Sequence, residues 1–185
     1  VAHNLLSFSS REVERFDAVC LRDLTNDVLN LLRQRLRAAD IDIHVDIPDD
    51  LPSLPCRPMQ IRQILFNLLL NGIDAVSERD SADEGERLVT LCARQLAGPE
   101  GKRIRIAVED TGVGIAEGLR EQIFHPFFTT RSRTQNTGLG LSISHNIAEE
   151  HGGRLFLESA VAGATRFVLE MPTGEEDSAS LSFPK

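Results

Sequence analysis

Amide and carboxylate side chains fall on one narrow strip of a helix that the sequence predicts between residues 57 and 77. The strip consists of Gln60, Gln63, Asn67, Asn71 and Asp74. The same 3.6-residue period places a wide apolar stripe on this helix, so we expect the helix to pack in a core. Polar groups beside a core cost free energy unless they are paired. Either protein groups or a polar ligand must satisfy the strip, and the rest of the sequence favours a ligand.

Two pairs of glycines lie where a predicted strand or helix meets a loop. Gly112 and Gly114 follow Asp110 at the end of a predicted strand, whereas Gly138 and Gly140 precede a predicted helix. Glycines let the backbone approach a ligand closely, and a helix N-terminus offers free N–H groups to a phosphate. Neither pair fits the dinucleotide-binding fingerprint, and the chain has no Gly-Lys-Ser or Gly-Lys-Thr phosphate loop. Taken singly, each pair is equally typical of an ordinary turn.

The composition restricts the classes of function. The chain has 185 residues, enough for one compact domain, and its net charge of −8 argues against nucleic acid as a partner. No apolar run approaches the ~20 residues that cross a bilayer. The three cysteines are scattered and odd in number, which is typical of reduced thiols in a cytosolic domain. The five histidines lack the spacing of a metal site.

Hydrophobic periodicity predicts the elements that must position these residues. Besides the helix that carries the polar strip, it predicts helices over residues 21–39 and from Gly138 to about Glu150. Four prolines predict a loop between residues 48 and 58. Short apolar or alternating segments predict six strands, of which the third and fourth form a hairpin, over residues 16–20, 41–47, 88–96, 102–109, 154–158 and 165–171.

Four motifs in a fixed order turn these separate features into a family resemblance. They are Asn67-Leu-Leu-Leu-Asn-Gly-Ile-Asp-Ala75, Asp110-Thr-Gly-Val-Gly114, Ile123-Phe-His-Pro-Phe-Phe-Thr-Thr130 and Thr137-Gly-Leu-Gly-Leu-Ser142. Their order and spacing closely resemble the N, G1, F and G2 boxes of sensor histidine kinases. The stretch from Gly163 to Phe167 resembles the last glycine box, so the match covers residues 57–171. The F box is most similar to that of the nitrogen-regulation and C4-dicarboxylate sensor kinases.

The resemblance implies an α+β fold of the GHKL superfamily, also called the Bergerat ATP-binding fold. This fold is a two-layer α/β sandwich, with a mixed sheet of about five strands and three main helices on one face. It also implies a division of the chain. Residues 1–10 would be the tail of a dimerisation and phosphoacceptor helix, residues 11–172 the catalytic ATP-binding domain, and residues 173–185 a flexible acidic tail.

The resemblance further implies ATP and Mg²⁺ as cofactors and gives roles to individual residues. Asn71 would ligate Mg²⁺, with Asn67 facing the same ion or a phosphate. Asp110 would accept a hydrogen bond from the adenine amino group, and Arg131 would contact the γ-phosphate during catalysis together with Asn67. Phe124, Phe127 and Phe128 are expected to anchor a lid on the core. The positions that match the family's nucleotide-binding motifs are Asn67, Asn71, Asp74, Ala75, Asp110, Gly112, Gly114, Ile115, Thr129, Thr130, Arg131, Thr137, Gly138, Leu139, Gly140, Leu141 and Thr165.

Two positions depart from patterns in the wider superfamily. Asp74 stands where many sensor kinases carry a basic residue near the phosphates. Asn67 stands where the gyrase, mismatch-repair and chaperone ATPases carry a glutamate that polarises the attacking water. An amide cannot act as a general base, so we expect slow hydrolysis and transfer to another nucleophile. A stand-alone ATPase and a nucleotide-sensing domain without kinase activity are the alternatives.

The resemblance also implies partners and a location. The γ-phosphoryl group would go to a histidine on the dimerisation domain of the same kinase and then to a response regulator. The full-length protein would be a homodimer, this fragment a monomer, and nucleic acid is not expected to bind. The domain would lie in the cytoplasm, with the parent protein anchored in the inner membrane.

Overall fold

The computed structural model describes residues 15–80, 85–98, 101–130, 137–161 and 163–173. The predicted helix tail at residues 1–10 therefore lies outside the described residues, as does the predicted acidic tail apart from Thr173. Thr173 continues the fold, because its backbone N–H donates to the Lys102 carbonyl at 3.2 Å.

Three helices form where the apolar periodicity predicts them. They are α1 (Leu21–Ala39), α2 (Pro58–Ser77) and α3 (Gly140–Glu150). The helix α2 begins at Pro58, whose fixed φ and missing N–H suit the first turn. Its apolar stripe is buried, with Ile61, Ile64, Leu65, Leu69 and Val76 fully inaccessible. The helix lies between the other two, packing against α1 on one flank and α3 on the other.

A mixed five-stranded sheet forms the second layer, in the order β2-β4-β5-β7-β6. The first pair of this sheet, β2 with β4, is parallel, and the three remaining pairs are antiparallel. The predicted hairpin is confirmed as the pair of β4 and β5. The sandwich of one sheet and three helices confirms the predicted fold class. The strands are β2 (Asp42–Asp46), β4 (Leu88–Gly98), β5 (Gly101–Asp110), β6 (Arg154–Val161) and β7 (Ala164–Pro172).

A small second sheet was not expected from the sequence. It pairs β1 (Asp17–Val19) with β3 (Leu54–Cys56) in antiparallel register. The prolines had predicted only a loop here, but a two-stranded sheet tolerates Pro55 because most of its backbone groups lie on an edge. Leu54 and Cys56 are fully buried, and this burial raises the pKa of the Cys56 thiol to about 11.

The helix α2 rests directly on the middle of the five-stranded sheet. A Cβ added to Gly72 would lie 3.3 Å from the Asp110 Cβ and 3.5 Å from Val89, so the glycine permits a close approach of α2 to β4 and β5. This contact places the C-terminal half of α2 over the end of β5.

Within the residues that the structure describes, no helix combines the length and apolar character needed to cross a membrane.

Candidate functional site

Two buried polar side chains meet where β5 ends beside β7. The sheet register sets Asp110 directly opposite Thr165. Asp110 is 4% exposed and Thr165 is 2% exposed. Among the residues that the structure describes, the Thr165 hydroxyl has no hydrogen-bond partner. A buried hydroxyl without a partner costs free energy, so this position is suited to a polar ligand that supplies the missing bond.

The loop after β5 is held against α2 by a glycine that has no room for a side chain. A Cβ on Gly112 would lie 2.6 Å from the Ala75 carbonyl carbon and 2.7 Å from Asp110 Oδ1. The backbone N–H of Gly112 donates to Asp110 Oδ1 at 2.9 Å, and that of Val113 donates to the Ala75 carbonyl at 3.2 Å. The Gly112 carbonyl accepts from Gly163 at 2.9 Å. The loop therefore connects α2, β5 and the hairpin of β6 and β7, and it fixes the orientation of the Asp110 carboxylate.

The polar strip of α2 connects to the start of α3. The Asn67 side-chain amide donates to the Gly140 carbonyl and to the Ser144 hydroxyl, both at 3.0 Å. A Cβ on Gly140 would lie 3.4 Å from Asn67 Cγ, so this glycine brings the first turn of α3 close to the strip. The half-buried Asn71 amide, one turn further along α2, has no hydrogen-bond partner within the described part of the chain. Its oxygen and nitrogen are therefore available to a ligand.

These contacts give the site two ends along a single helix. Gly72 of α2 packs on Asp110, and Asn67 packs on Gly140. Five positions on a helix rise about 7.5 Å, which is the scale that separates a nucleotide base from its phosphates. Asn71 lies between the two ends. A ligand that satisfies both ends must carry a hydrogen-bonding group at one end and negative charge near the α3 N-terminus at the other.

The last member of the strip, Asp74, contacts a different helix. The Asp74 carboxylate lies 2.6 Å from the Arg35 guanidinium of α1, and the Asp74 side chain is 12% exposed. A direct role of Asp74 in nucleotide binding stays a prediction. Arg35 itself was not singled out from the sequence, because nothing in the pattern of α1 distinguishes it from the other arginines on that helix.

The segment that contains the predicted lid phenylalanines packs only in part. Phe124 lies against Phe167 with ring centroids 6.3 Å apart and against His145 at 5.4 Å. Phe128 is half-buried against the core. Phe127 is different, because it has a φ of 65° and its side chain is 71% exposed. The expectation that all three rings anchor on the core is therefore wrong for Phe127.

Gly138 explains how the ends of this segment come together. A Cβ on Gly138 would lie 2.6 Å from the Phe127 carbonyl carbon and 2.8 Å from the Phe128 carbonyl oxygen, and its φ of +68° also favours glycine. The glycine thus lets the chain before α3 lie directly on the end of the F box.

Of the other predicted residues, Thr130 and Thr137 are exposed, and Arg131 lies outside the described residues. Partly buried positions are Ala75, Gly114, Ile115, Thr129, Leu139 and Leu141.

Sequence reasoning missed two residues that shape the site. Ser144 accepts the Asn67 amide, and Gly72 lets α2 approach Asp110. Ser144 follows Gly140 by four residues and so lies on the same helix face. This spacing could have identified Ser144 as a site residue, because Gly140 is itself predicted to bind the ligand. Gly72 lies inside a helical pattern, where a glycine is unfavourable and indicates a packing requirement.

Removing the unpartnered Thr165 hydroxyl is expected to raise the stability of the ligand-free protein and to lower its affinity for adenine nucleotides. We expect Thr165→Val to stabilise the ligand-free protein by about 1 kcal/mol, because an unsatisfied buried hydroxyl is replaced by a methyl group of similar shape. The same change should weaken adenine-nucleotide binding by about tenfold, because a bond to the ligand is lost. Thermal unfolding and calorimetric titration with ADP measure the two effects. A loss of stability without ligand would contradict the assignment of this hydroxyl to the ligand.

Comparisons with known proteins identify the family of the chain. The family described as histidine kinase-, DNA gyrase B- and HSP90-like ATPases matches residues 56–175. The sensor histidine kinase ZraS of Escherichia coli O157:H7 is 37% identical over 155 residues, which is 84% of this chain and 31% of ZraS. The chain therefore spans about a third of the length of that relative.

The chain is also similar to solved structures of histidine kinases. The catalytic domain of histidine kinase ThkA, in a nucleotide-free form, matches with a TM-score of 0.71 and 30% identity, covering 86% of this chain and 96% of that domain. Full-length ShkA in complex with AMPPNP matches with a TM-score of 0.71 and 27% identity over 85% of this chain and 31% of ShkA. ThkA in complex with the response regulator protein TrrA matches with a TM-score of 0.66 and 25% identity, covering 85% of this chain and 42% of that one.

Proposed function

Because this chain belongs to the family of histidine kinase-, DNA gyrase B- and HSP90-like ATPases, and within it to the histidine kinase catalytic domains, we propose that it binds Mg–ATP and transfers the γ-phosphoryl group to a histidine outside its own fold. The observation that carries this proposal is the convergence of Asp110 and Thr165 with the Asn67–Gly140 contact along one helix. A bipolar site of this kind suits a base at one end and phosphates at the other.

At the base end, recognition would use the Asp110 carboxylate. Its Oδ1 accepts the Gly112 N–H, which fixes the plane of this buried carboxylate. An acceptor-only group selects a ligand that presents N–H donors, as the adenine amino group does. Guanine presents a carbonyl oxygen at the same ring position, so the carboxylate would repel it. The Thr165 hydroxyl would make a second polar contact with the base edge.

At the phosphate end, the N-terminus of α3 and Asn71 would act together. The first turn of α3 presents backbone N–H groups that have no partner within the helix, and these groups attract negative charge. No group of three His, Cys, Asp or Glu side chains able to hold a metal ion occurs in the described part of the chain. A hard cation here would therefore depend on phosphate oxygens and water, with the unpartnered Asn71 side-chain oxygen as a protein ligand. This arrangement fits Mg²⁺, which keeps most of its water and binds few protein groups.

The chemistry of Asn67 favours transfer over hydrolysis. Its side-chain nitrogen is engaged by Gly140 and Ser144, so the amide has a fixed orientation. An amide has no lone pair basic enough to take a proton from water. The domain would therefore act by positioning the phosphates and stabilising their charge, and the nucleophile would come from elsewhere. Arg131, the other predicted catalytic residue, would stabilise charge on the γ-phosphate.

The proposed partners follow because the domain positions the phosphates, whereas the nucleophile belongs to another domain. The acceptor histidine would lie on a dimerisation domain of the same protein, which would bring two copies together as a homodimer. A response regulator would receive the phosphoryl group next, and the complex of ThkA with TrrA supports a partner of this class. Because ATP and response regulators occur in the cytoplasm, we place the domain there, whether or not the parent protein is anchored in the inner membrane.

A phosphotransfer assay tests the proposal directly. The chain is mixed with labelled ATP, Mg²⁺ and a separately expressed dimerisation domain that carries the acceptor histidine. We expect an acid-labile, base-stable label on that domain, and we expect Asn71→Ala to reduce its rate about 100-fold, as removal of one transition-state ligand does. Asn146→Ala is the matched control, because Asn146 is an exposed amide on α3.

Two results would contradict the proposal in different ways. Steady phosphate release without any label on the acceptor would favour a stand-alone ATPase. Tight nucleotide binding with neither label nor release would favour a nucleotide-sensing domain. An Asn71→Ala variant that keeps its full rate, or that binds ADP with unchanged dependence on Mg²⁺, would remove Asn71 from the metal site.

A further inference from the structure

Both N–H donors of the Asn67 side-chain amide are used within the fold. They meet two acceptors in the first turns of α3, the Gly140 carbonyl and the Ser144 hydroxyl oxygen, each 3.0 Å from Asn67 Nδ2. A primary amide has two N–H donors and one oxygen that only accepts. The carbonyl of Gly140 has no proton to donate, so the amide atom next to it must be the nitrogen. The amide is therefore held in one orientation, because a flipped amide would bring two oxygens into contact.

The oxygen of the same amide remains available to a ligand. Among the residues that the structure describes, none donates a hydrogen bond to Asn67 Oδ1. A Cβ built on Gly140 would lie 3.6 Å from this oxygen, which therefore lies beside the first turn of α3, at the phosphate end of the site. An amide oxygen repels phosphate oxygens and attracts a hard cation. The available atom of Asn67 thus suits the metal that accompanies the phosphates, and not the phosphates themselves.

The Ser144 hydroxyl is the acceptor that holds the second Asn67 N–H. Its side chain is fully buried, and its removal would leave that N–H without a partner beside the phosphates. We propose that Ser144 is a positioning residue for the cation site: together with the Gly140 carbonyl, it holds Asn67 so that Oδ1 is presented to the metal of the bound nucleotide. Groups that orient a metal ligand in this way typically change metal affinity about 10–100-fold when they are removed. This inference rests on the proposed function.

Two other roles of these residues predict different results. If Ser144 only joins α3 to α2, its removal should lower stability and leave the effect of Mg²⁺ on nucleotide binding unchanged. If Asn67 serves the phosphates through its N–H groups, removal of the Ser144 hydroxyl frees a donor and should strengthen nucleotide binding without metal. The three roles differ in metal dependence and in the sign of the effect, so one set of titrations separates them.

The test is calorimetric titration of the whole chain with a non-hydrolysable ATP analogue, in Mg²⁺ and in excess EDTA. The ratio of the two affinities measures the contribution of the metal. In Ser144→Ala we expect this ratio to fall about tenfold, with the affinity in EDTA unchanged within about twofold. Asn67→Ala should lower the ratio at least as far. Adding Ser144→Ala to Asn67→Ala should have no further effect, because the serine acts through Asn67.

Thr25→Val is the matched control for the loss of a buried hydroxyl. Thr25 lies on α1 and is also fully buried, and its hydroxyl donates to the Leu21 carbonyl of its own helix at 2.9 Å. The variant loses a hydrogen bond in the core, as Ser144→Ala does, but not one that orients Asn67. It should therefore keep the affinity ratio of the unmodified chain, even if its melting temperature falls.

A second measurement needs neither nucleotide nor metal. In the ligand-free chain, the side-chain amide protons of Asn67, followed by NMR, should exchange with solvent about fivefold faster in Ser144→Ala, because one of their two hydrogen bonds is lost. The side-chain amide protons of Asn71 provide the internal control. Asn71 does not contact Ser144 in the described part of the chain, so its exchange should not change.

The inference is overturned if Ser144→Ala keeps the affinity ratio of the unmodified chain or binds the analogue more tightly in EDTA. It is also overturned if the double variant has a lower ratio than Asn67→Ala, or if the exchange of the Asn67 amide protons does not change. An unmodified chain that binds the analogue equally well with and without Mg²⁺, or not at all, would contradict the proposed function itself, and the inference would fail with it.

Discussion

Replacing Asp110 with asparagine should lower the affinity of the domain for ADP by about 100-fold, which corresponds to about 2.7 kcal/mol. The size of this effect follows from the position of Asp110, which is 4% exposed and already bound to the Gly112 N–H. A hydrogen bond from a ligand to a charged acceptor contributes about 1.5–3 kcal/mol, and leaving a buried donor of the ligand unpaired adds to the loss.

The asparagine cannot reproduce both contacts in either orientation. If its oxygen keeps the Gly112 N–H, its NH₂ group faces the adenine amino group, and two donors meet. If the amide is flipped, the NH₂ group faces the Gly112 N–H, and the loop loses the bond that holds it against β5. The variant is therefore expected to lose adenine preference as well as affinity. Calorimetric titrations with ADP and GDP, each with Mg²⁺, measure both quantities.

The adjacent residue provides the matched control. Glu109 also lies on β5, but its carboxylate binds Arg166 at 2.6 Å on the opposite face of the sheet. Glu109→Gln removes one negative charge from the same strand and should leave ADP affinity unchanged within about twofold, since the partly exposed pair contributes little. Equal affinities for Asp110→Asn and the unmodified chain would show that this carboxylate does not read the base, and the base would have to bind elsewhere.

The sequence predicts those parts of the fold whose signal is local. The helix α2 was found within one residue of its observed start because a periodic apolar stripe and Pro58 act over a few turns. The hairpin of β4 and β5 was found because both segments are long and are separated by a glycine-containing turn. The sequence does not indicate the strand β3, because the four prolines between residues 48 and 58 are typical of a loop and the pairing of β3 with β1 depends on contacts across the chain.

The candidate site shows the same division between local and long-range information. Asn67, Asp110 and Gly140 were identified from residue type and order. The bonds from Asn67 to Gly140 and Ser144 span more than seventy positions and depend on how α3 packs against α2. The ion pair of Arg35 with Asp74 depends in the same way on the packing of α1. Phe127 is exposed because its positive φ turns it away from the core, and the sequence motif alone does not indicate a backbone angle.

Packing around Gly112 links the stability of the loop to ligand binding, and this link leads to the second large effect. Adding a methyl group in Gly112→Ala would place a Cβ 2.6 Å from the Ala75 backbone and 2.7 Å from Asp110 Oδ1. The backbone of α2 cannot yield, because the helix is fixed between the sheet and two other helices. The loop must therefore move outward, which stretches the bonds from Gly112 to Asp110 and from Val113 to Ala75.

We expect Gly112→Ala to destabilise the domain by about 3 kcal/mol, from overpacking and two weakened hydrogen bonds. The melting temperature should fall by about 10 °C. At a temperature where the variant is still folded, its affinity for ADP should be at least about 100-fold lower, because the displaced loop no longer holds the Asp110 carboxylate in its orientation. Differential scanning calorimetry and titration with ADP and Mg²⁺ measure the two effects separately.

Gly118→Ala is the appropriate comparison, because a Cβ at Gly118 would meet no atom within 4 Å. That variant has the same change of residue type nearby in the chain and should keep both its melting temperature and its ADP affinity. If Gly112→Ala has the same melting temperature as the unmodified protein, the loop accommodates the added methyl group, and the close contacts at Gly112 do not restrict it. If it is destabilised but binds ADP normally, the orientation of Asp110 does not control the ligand, and the coupling of this loop to the base pocket would have to be abandoned.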